Sequence, residues 1–314
     1  MKCFVTGAAG FIGSNLCRRL LAEGCEVVGL DSFTDYYPRA VKEARVAALR
    51  SVPGFRLVEG DILTADLDAL AAGADFIFHQ AAQAGVRASW GQTFDIYTNN
   101  NVLATQRMLE CTRRVKPKKL VYASSSSVYG EGRERPTRES DPKRPLSPYG
   151  VTKLAGEHLC HLYEHNFGVP TISLRYFTVY GPLGRPDMSI WKFTLAMLRD
   201  EELVVYGDGE QSRGFTYIDD VVEANVLAAR SPLSDTAFNV GGASTVTVNQ
   251  LIRQIERILG KKARVRHEEF AQGDARHTEA DMTRTRKLLG LKARTPLRKG
   301  LPPTVQSIRD FYGL

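Results

Sequence analysis

A glycine-rich turn at the start of the chain limits the fold more than any other feature. Residues 6–13 read TGAAGFIG, directly after the apolar run Lys2–Thr6 and at the start of the helical pattern Phe11–Ala22. Glycine permits a tight turn, lets the backbone approach a diphosphate and allows close packing of helix on strand. The free N–H groups at the start of the helix can then bind the anion. By itself, the motif could equally be an ordinary turn.

A second feature of dinucleotide-binding proteins, an acidic residue, follows the glycine-rich turn at the expected distance. The run Glu26–Asp31 is predicted to be a strand, and Asp31 ends it 18 residues after Gly13. A carboxylate at this point accepts hydrogen bonds from a ribose diol and repels a 2′-phosphate. The two features together predict dinucleotide binding, with NAD favoured over NADP.

The first half of the chain alternates between predicted strands and helices. The strands are Lys2–Thr6, Glu26–Asp31, Arg56–Glu59, Asp75–His79, Lys118–Ser124 and Pro170–Arg175. The helices are Phe11–Ala22, Pro38–Ser51, Phe94–Val115 and Pro148–Phe167. This alternation predicts an α/β fold with a doubly wound parallel (Rossmann) sheet.

Beyond Arg175 the pattern is looser, with two further predicted helices, Val248–Leu259 and Met282–Leu289. We therefore expect an NAD-binding domain over residues 1–175, completed by parts of 214–242. Residues 176–314 are expected to form a smaller, mixed α/β lobe that binds the substrate.

Composition narrows the class of protein. The 314 residues are 43% hydrophobic and 25% charged, which is typical of a globular protein with a large core. The formal charge is +7. The basic residues are dispersed and lack a nucleic-acid-binding motif, and no apolar run reaches membrane-spanning length. Five scattered cysteines predict a reducing cytoplasmic location and no metal site. We expect neither nucleic acid nor membrane as a partner.

The segment SPYGVTK predicts a catalytic pair. Ser147 and Pro148 are typical of a helix start, and Tyr149 and Lys153 then share one helical face. An ammonium close to a phenol lowers the pKa of the phenol, so that Tyr149 can take a proton from an alcohol. An isolated pair of this spacing is common by chance. Its position after a dinucleotide motif and 24 residues after Ser125, in the serine run Ser124–Ser127, favours catalysis.

These motifs occur in a recognisable order along nearly the whole chain: TGAAGFIG, Asp31, Asp61-Ile62, HQAA from His79, SSSSVYG, YGVTK and Arg175-Tyr-Phe177. The chain resembles the extended short-chain dehydrogenase/reductases, specifically the nucleotide-sugar 4-epimerases. The resemblance implies a catalytic triad of Ser125, Tyr149 and Lys153. Besides Tyr149 and Lys153, it implies cofactor contacts at Gly7, Gly10, Phe11, Ile12, Gly13, Asp31, Ser32, Asp61, Ile62, Gln80, Ala81, Ala82, Asn100 and Phe177.

The serine run bears on the type of reaction. Relatives that eliminate water from the sugar carry an Asp-Glu pair before the VYG element, and relatives that decarboxylate carry a Glu there. This chain has Ser126 and Ser127 instead. The resemblance therefore implies reversible oxidation at C4 and return of the hydride to the opposite face, with NAD as a resident catalyst.

The stretch Gly181–Met188, GPLGRPDM, indicates the sugar. It resembles the UDP-glucuronate 4-epimerases, as does GVRASW from Gly85. The resemblance implies UDP-sugar contacts at Arg87, Ser125, Ser126, Thr178, Arg185, Gln211, Arg213 and Arg276. Arg185 is expected to bind the C5 carboxylate. Its alternative role is an ion pair with Asp187, and Arg213 and Arg276 could instead be surface residues.

Two other functions stay open at this point. A UDP-glucose/UDP-galactose (or N-acetyl) 4-epimerase needs no carboxylate partner, and a non-catalytic NAD-sensing or RNA-associated relative needs no triad. In relatives, the helices that begin near Phe94 and Pro148 form a four-helix dimer interface, which predicts a homodimer here.

Overall fold

The computed structural model describes residues 1–132, 135–270, 273–292 and 295–314. The strands among these residues are β1 (Lys2–Thr6), β2 (Glu26–Asp31), β3 (Phe55–Glu59), β4 (Phe76–His79), β5 (Lys119–Ser125), β6 (Thr171–Tyr176), β7 (Val179–Tyr180), β8 (Glu202–Tyr206), β9 (Ser212–Tyr217), β10 (Thr236–Val240), β11 (Ser244–Thr247), β12 (Arg264–Glu268) and β13 (His277–Thr278).

The α-helices of the described chain are α1 (Phe11–Ala22), α2 (Arg39–Val46), α3 (Leu67–Ala71), α4 (Phe94–Tyr97), α5 (Ala104–Val115), α6 (Pro148–Phe167), α7 (Ser189–Leu198), α8 (Ile218–Arg230), α9 (Val248–Leu259), α10 (Thr283–Leu289) and α11 (Leu297–Tyr312). No helix of the described residues is long and apolar enough to cross a membrane.

Seven strands form a parallel sheet in the order β10-β6-β5-β4-β1-β2-β3. From β1 the chain runs outward through β2 and β3, and then returns to β4 on the other side of β1. The strand order therefore reverses between β1 and β4, and a crevice opens there at the carboxyl ends of the strands. The predicted doubly wound fold is confirmed.

Apolar side chains cover both faces of this sheet. One buried cluster joins the sheet to α1 and α8 through residues such as Leu16 and Val222. The other joins it to α5 and α6 through Met108 and Cys160. Because both faces are covered, the strands are almost continuously apolar, as in parallel sheets generally.

A smaller mixed lobe forms from the rest of the chain. Strand β9 pairs with β11, β13 and β7, and β8 pairs with β12. Helices α7, α9 and α11 pack on these strands around Phe193, Leu203, Leu251 and Leu301. Strand β10 and helix α8, although late in the chain, belong to the large sheet and its covering layer.

One predicted helix is divided. Instead of a single helix over Phe94–Val115, the chain forms α4, a π-helical segment Thr98–Leu103, and then α5. Within this segment the side chain of Asn101 bonds the backbone N–H and C=O of Gln83 at 2.8 and 3.0 Å. π-Helical segments inside α-helices are frequent at functional sites. The helix predicted over Pro38–Ser51 is shorter and spans Arg39–Val46.

Candidate functional site

A cleft of about 940 Å³ lies at the carboxyl ends of the parallel strands and extends under the smaller lobe. Every site residue predicted from the sequence lines this cleft, with the exception of Arg276. Residues from segments that are far apart in the sequence therefore meet in one place. Their individual roles stay predictions.

The glycine turn leaves no space for side chains. Gly7 has a φ of +70°, and a Cβ atom on it would lie 2.8 Å from the backbone nitrogen of Ala81. A Cβ atom on Gly13 would lie 2.1 Å from the carbonyl oxygen of Gly7. Helix α1 follows at once, and Gly10 before it provides no side-chain cap. The backbone N–H groups at this helix start can therefore bind a diphosphate.

Asp31 is buried at the end of β2 and is held by three donors. Its Oδ2 accepts from the N–H of Ala9 at 3.0 Å, and its Oδ1 accepts from the N–H of Phe33 at 2.8 Å. The ammonium of Lys42 lies 3.0 Å from the same Oδ1. A carboxylate offers about four acceptor positions, so one position on Oδ2 is left for a ribose hydroxyl.

A buried histidine connects the end of β1 to helix α5. His79 Nδ1 lies 2.8 Å from the hydroxyl of Thr6, and its Nε2 lies 3.1 Å from the hydroxyl of Thr105. The same Thr6 hydroxyl accepts from the N–H of Ala81 at 3.2 Å. Burial lowers the pKa of His79 to about 3, so this ring is neutral and joins β1 to α5 through its two hydrogen bonds.

Lys153 is buried beside the end of β5. Its Nζ donates to the carbonyl oxygen of Ala123 at 2.8 Å. Burial lowers the pKa of Lys153 from 10.5 to about 7, because desolvation disfavours the ammonium.

Tyr149 differs from the sequence-based expectation. Desolvation raises its pKa, while the charge of Arg185 and a hydrogen bond with Ser125 act in the opposite direction. Lys153 is not among the groups that shift it. The prediction that Lys153 lowers the pKa of Tyr149 is therefore wrong for the protein alone, because burial of the phenol outweighs the charge of Arg185 and the hydrogen bond with Ser125.

The serine run ends a strand rather than forming a linker. β5 continues to Ser125, and a single 3₁₀ turn, Ser126–Val128, follows. The hydroxyl of Ser125 accepts from the N–H of Ser127 at 3.1 Å. The hydroxyl of Ser124 donates to Glu157 at 2.5 Å, which joins the strand end to α6.

Glu157 is the centre of a buried ionic network behind this strand end. It forms a bidentate pair with Arg175, with distances of 2.8 and 2.7 Å. Arg175 also donates to the hydroxyl of Tyr129 at 2.7 Å, and that hydroxyl donates to Asn239 at 2.7 Å. The network therefore connects β5, α6, β6 and β10 directly beneath the cleft.

On the substrate side, Arg185 binds Asp187 within the same loop. The two side chains form a bidentate pair at 3.0 and 2.5 Å, and both line the cleft. Arg185 can therefore form the ion pair with Asp187 and still bind a sugar carboxylate, since the paired arginine remains part of the cleft lining. Tyr36 donates to Asp187 at 3.3 Å.

Other predicted contacts are distributed around the opening. Arg87 pairs with Asp274 at 2.7 Å and stacks 4.1 Å above the ring of Tyr206. Gln211 is buried, and its Oε1 has no hydrogen-bond partner within the described part of the chain. Desolvation lowers the pKa of Arg213, which also lines the cleft.

Arg276 does not lie in the cleft wall. Its guanidinium is exposed and binds Asp208 at 2.7 Å, whereas its backbone N–H donates to Glu131. The structure therefore favours the surface alternative for this side chain.

Sequence reasoning missed Lys42 and Tyr36, which line the cleft. Lys42 lies in α2, 11 residues after Asp31. A lysine on the buried face of an otherwise amphipathic helix was the available signal, since buried lysines are almost always paired. Tyr36 lies in a loop and gave no signal.

The parallel sheet, the glycine turn at the reversal of strand order and the cleft with Ser125, Tyr149 and Lys153 define a Rossmann-type protein of the short-chain dehydrogenase/reductase class. The model of the NAD dependent epimerase/dehydratase family matches residues 3–241, and the chain belongs to this family. The resemblance stated from the motifs is thereby confirmed.

Similar proteins extend the comparison over the whole chain. The crystal structure of a UDP-glucuronic acid 4-epimerase from Bacillus cereus, in complex with UDP-glucuronic acid and NAD, is 41% identical with a TM-score of 0.97, covering 99% of this chain and 100% of that one. An uncharacterized UDP-glucose epimerase, YtcB, of Bacillus subtilis (strain 168) is 42% identical over 99% of both chains. A UDP-glucuronate 4-epimerase of Thermodesulfobacterium geofontis (strain OPF15) is 38% identical over 96% of this chain and 94% of that one.

Proposed function

We propose that this protein is a UDP-glucuronate 4-epimerase that interconverts UDP-glucuronate and UDP-galacturonate with tightly bound NAD. The observation that carries the proposal is the position of Arg185, which lines the same cleft as Tyr149 and Ser125. An arginine there supplies a planar partner for a sugar carboxylate. The Bacillus cereus relative, solved with UDP-glucuronic acid, supports the same substrate.

The residues present fit NAD. The glycine turn at Gly7 and Gly13 is closed to side chains and open to a diphosphate, and Asp31 keeps one acceptor position for ribose. Further predicted contacts also line the cleft: Phe11, Ile12, Ser32, Asp61, Ile62, Gln80, Ala81, Ala82, Asn100 and Phe177. NAD held by these residues would supply an acceptor for the hydride of C4 and a donor for its return to the other face of the sugar.

The chain's own groups move the proton. Tyr149 takes the proton of the 4-hydroxyl, and Ser125 orients that hydroxyl. Lys153 supplies positive charge behind the site and holds α6 to the strand end through Ala123. After the 4-keto sugar has rotated in the cleft, Tyr149 returns the proton to the new 4-hydroxyl.

Rotation of the ketone requires that the nucleoside diphosphate stay in place. Arg213 and Arg87 lie around the opening of the cleft, together with the amide oxygen of Gln211, which has no hydrogen-bond partner among the described residues. Arg forks suit phosphate oxygens, so we assign Arg213 and Arg87 to the diphosphate side. Arg276 contributes only through the loop that it anchors at Asp208.

The substrate carries a chemical hazard. The 4-keto intermediate is a β-keto acid and loses CO₂ when the C5–carboxylate bond stands perpendicular to the carbonyl plane. Arg185, together with the hydroxyls of Ser126 and Thr178, holds the carboxylate away from that alignment. Because Ser126 and Ser127 follow directly after the end of β5, the two positions after Ser125 carry no acid that could promote elimination.

A second candidate is UDP-glucose/UDP-galactose 4-epimerase activity, since the Bacillus subtilis relative carries that substrate in its name. The deciding experiment incubates the protein, without added NAD, with UDP-glucuronate and separately with UDP-glucose. UDP-galacturonate as the product of the first incubation supports the proposal. Conversion of UDP-glucose alone would replace it with the second candidate, and inactive protein with both sugars would contradict both.

We also infer a homodimer. Helices α5 and α6 pack side by side, with the hydroxyl of Tyr163 joining Gln106 and Glu110. Their outer faces expose large apolar side chains: Leu103 at 47% just before α5, and Val151 and Leu162 at 51% on α6. Val151 and Leu162 are eleven residues apart, about three helical turns, and so lie on one face. A second copy of the same surface would cover them.

The two parts of the chain are assigned to different ligands. We assign residues 1–175, with parts of 214–242, to NAD and residues 176–314 to the UDP-sugar. Support comes from β10 and α8, which return to the large sheet from the later region. Five free, buried cysteines are consistent with the cytoplasmic location inferred from the sequence.

A further inference from the structure

The pair formed by Arg185 and Asp187 is partly shielded from solvent. About a quarter of each side chain is exposed, 27% and 23%. Arg185 Nε lies 3.0 Å from Asp187 Oδ1, and Arg185 Nη2 lies 2.5 Å from Asp187 Oδ2. Two parallel contacts of this kind fix the plane of the guanidinium as well as its position.

The backbone around this pair is held from outside the loop. Buried Arg45 donates to the carbonyl oxygens of Leu183 at 2.8 Å and Gly184 at 2.7 Å. The N–H of Leu183 donates to the hydroxyl of Ser307 at 3.0 Å. The orientation of Arg185 is therefore decided by its side-chain contacts and not by movement of the loop.

Arg185 keeps donors for a second carboxylate. A guanidinium has five N–H groups, and Asp187 occupies Nε and one position on Nη2. Among the described residues, no hydrogen bond from Nη1 is found. If a ligand displaced Asp187 from Arg185, the Asp187 carboxylate would keep mainly its hydrogen bond from the hydroxyl of Tyr36. Because an uncompensated shielded charge is strongly unfavourable, a sugar carboxylate that shares Arg185 is favoured over one that replaces Asp187.

We propose that Asp187 is a positioning residue, which holds the plane of Arg185 so that its free edge fixes the C5 carboxylate and suppresses loss of CO₂. This inference rests on the proposed function. It assigns control of the reaction's outcome to a residue that does not touch the reacting atoms.

The side reaction defines the readout. At the 4-keto stage the bond between C5 and the carboxylate breaks, CO₂ leaves, and the electron pair forms the enolate of the C4 ketone. C5 then takes a proton from solvent. The products are UDP-4-keto-pentose and CO₂, and one reduced nicotinamide remains for each CO₂ released. A guanidinium that cannot turn keeps the carboxylate out of the perpendicular alignment that this step requires.

The test is Asp187→Asn, which keeps the size of the side chain and removes one of its two acceptor oxygens. CO₂ from substrate labelled at C6 and UDP-galacturonate are measured together, and the Kd of UDP-glucuronate is measured by calorimetry. We expect the ratio of CO₂ to epimer to rise about tenfold or more. The Kd should change by less than about threefold, since Arg185 and its charge remain.

Two further variants make the result specific. Asp68 forms the same fork with Arg114 on the surface, at 2.5 and 2.9 Å, so Asp68→Asn is the matched control and should leave the ratio unchanged. Tyr36→Phe removes one hydrogen bond from Asp187 and keeps the fork. It should raise the ratio by a smaller factor, and it carries the test if Asp187→Asn does not fold.

Each outcome decides the matter. An unchanged ratio in Asp187→Asn, or in Tyr36→Phe where only that variant folds, overturns the inference. A Kd that falls by about tenfold at an unchanged ratio also overturns it, because Asp187 would then be a competitor for Arg185. Wild-type protein that forms no UDP-galacturonate refutes the proposed function itself, which separates the two failures.

Discussion

Lys153 donates a hydrogen bond from Nζ to the carbonyl oxygen of Ala123, 2.8 Å away, and so joins α6 to β5. Ala123 lies two residues before Ser125, and Tyr149 lies one helical turn before Lys153. The bond that holds the lysine therefore also sets the separation between the strand end and the phenol. The geometry of the site depends on this contact, and we expect burial of the ammonium to lower the stability of the folded chain.

The first prediction concerns the pH dependence of stability. The pKa of Lys153 is about 7 in the folded chain against 10.5 as its ordinary value, so the unfolded chain binds more protons between these values. The free energy of unfolding therefore rises with pH across this window, and the destabilisation by Lys153 is fully present below about pH 7. Lys153→Met should remove this rise. Urea unfolding at about pH 6.5 and pH 9 measures it. Lys118→Met, at an exposed position, should retain the wild-type slope.

The second prediction concerns the buried pair of Glu157 and Arg175, whose side chains are only 9% and 5% exposed. Glu157→Gln leaves the arginine without its carboxylate and should lower the free energy of unfolding by about 3–5 kcal/mol. Glu157→Met combined with Arg175→Met removes both charges and should cost less than the single change. Denaturant unfolding of the wild type and the two variants checks this, and a double variant that is less stable than Glu157→Gln would contradict it.

The third prediction concerns cofactor preference. Asp31→Asn removes the negative charge that repels a 2′-phosphate and leaves Lys42, 3.0 Å away, free to bind one. NAD should bind about tenfold more weakly, and NADP more tightly than to the wild type. Calorimetric Kd values for both cofactors measure the change. In Asp31→Asn combined with Lys42→Met, the gain for NADP should disappear; if it persists, Lys42 is not the cause.

The fourth prediction separates strain from lack of space in the glycine turn. Gly7 and Gly24 have similar φ values, +70° and +77°, but a Cβ on Gly24 meets nothing within 4 Å. Gly24→Ala should therefore cost only about 1–2 kcal/mol of conformational strain. Gly7→Ala should lose NAD binding as well, because its Cβ would meet the backbone of Ala81. NAD retention and thermal unfolding are compared, and equal effects in both variants would contradict the steric account.

The fifth prediction concerns assembly. Val151→Glu places a charge in the exposed apolar face of α6 and should convert the proposed dimer to a monomer, since a buried unpaired charge is costly. Light scattering after size-exclusion chromatography measures the mass. Leu288→Glu, at a similarly exposed apolar position on α10, should leave the mass unchanged. A wild-type chain that elutes as a monomer would refute the proposal directly.

Local patterns predicted much of the sheet. β1 and β2 begin and end at the predicted residues, as do α1, α6 and α9, because each has its own apolar periodicity and end signals. The later strands were not predicted, because they are short and gain their stability from pairing with distant partners. α11 contains Pro302 and Pro303, which normally indicate a helix end. Only its packing on the smaller lobe identifies it.

The sequence by itself determined the family and the kinds of chemical group at the site, because glycine, aspartate, tyrosine and lysine at fixed local spacings are sufficient for both. Tertiary structure alone decided how these groups behave. Burial raised the pKa of Tyr149 against the expected effect of Lys153, and folding placed the pair of Arg185 and Asp187, which the sequence offered as an alternative, in the wall of the cleft. It also placed Arg276 outside the cleft wall. Desolvation and pairing depend on atoms brought together from distant parts of the chain, and a linear pattern does not contain those distances.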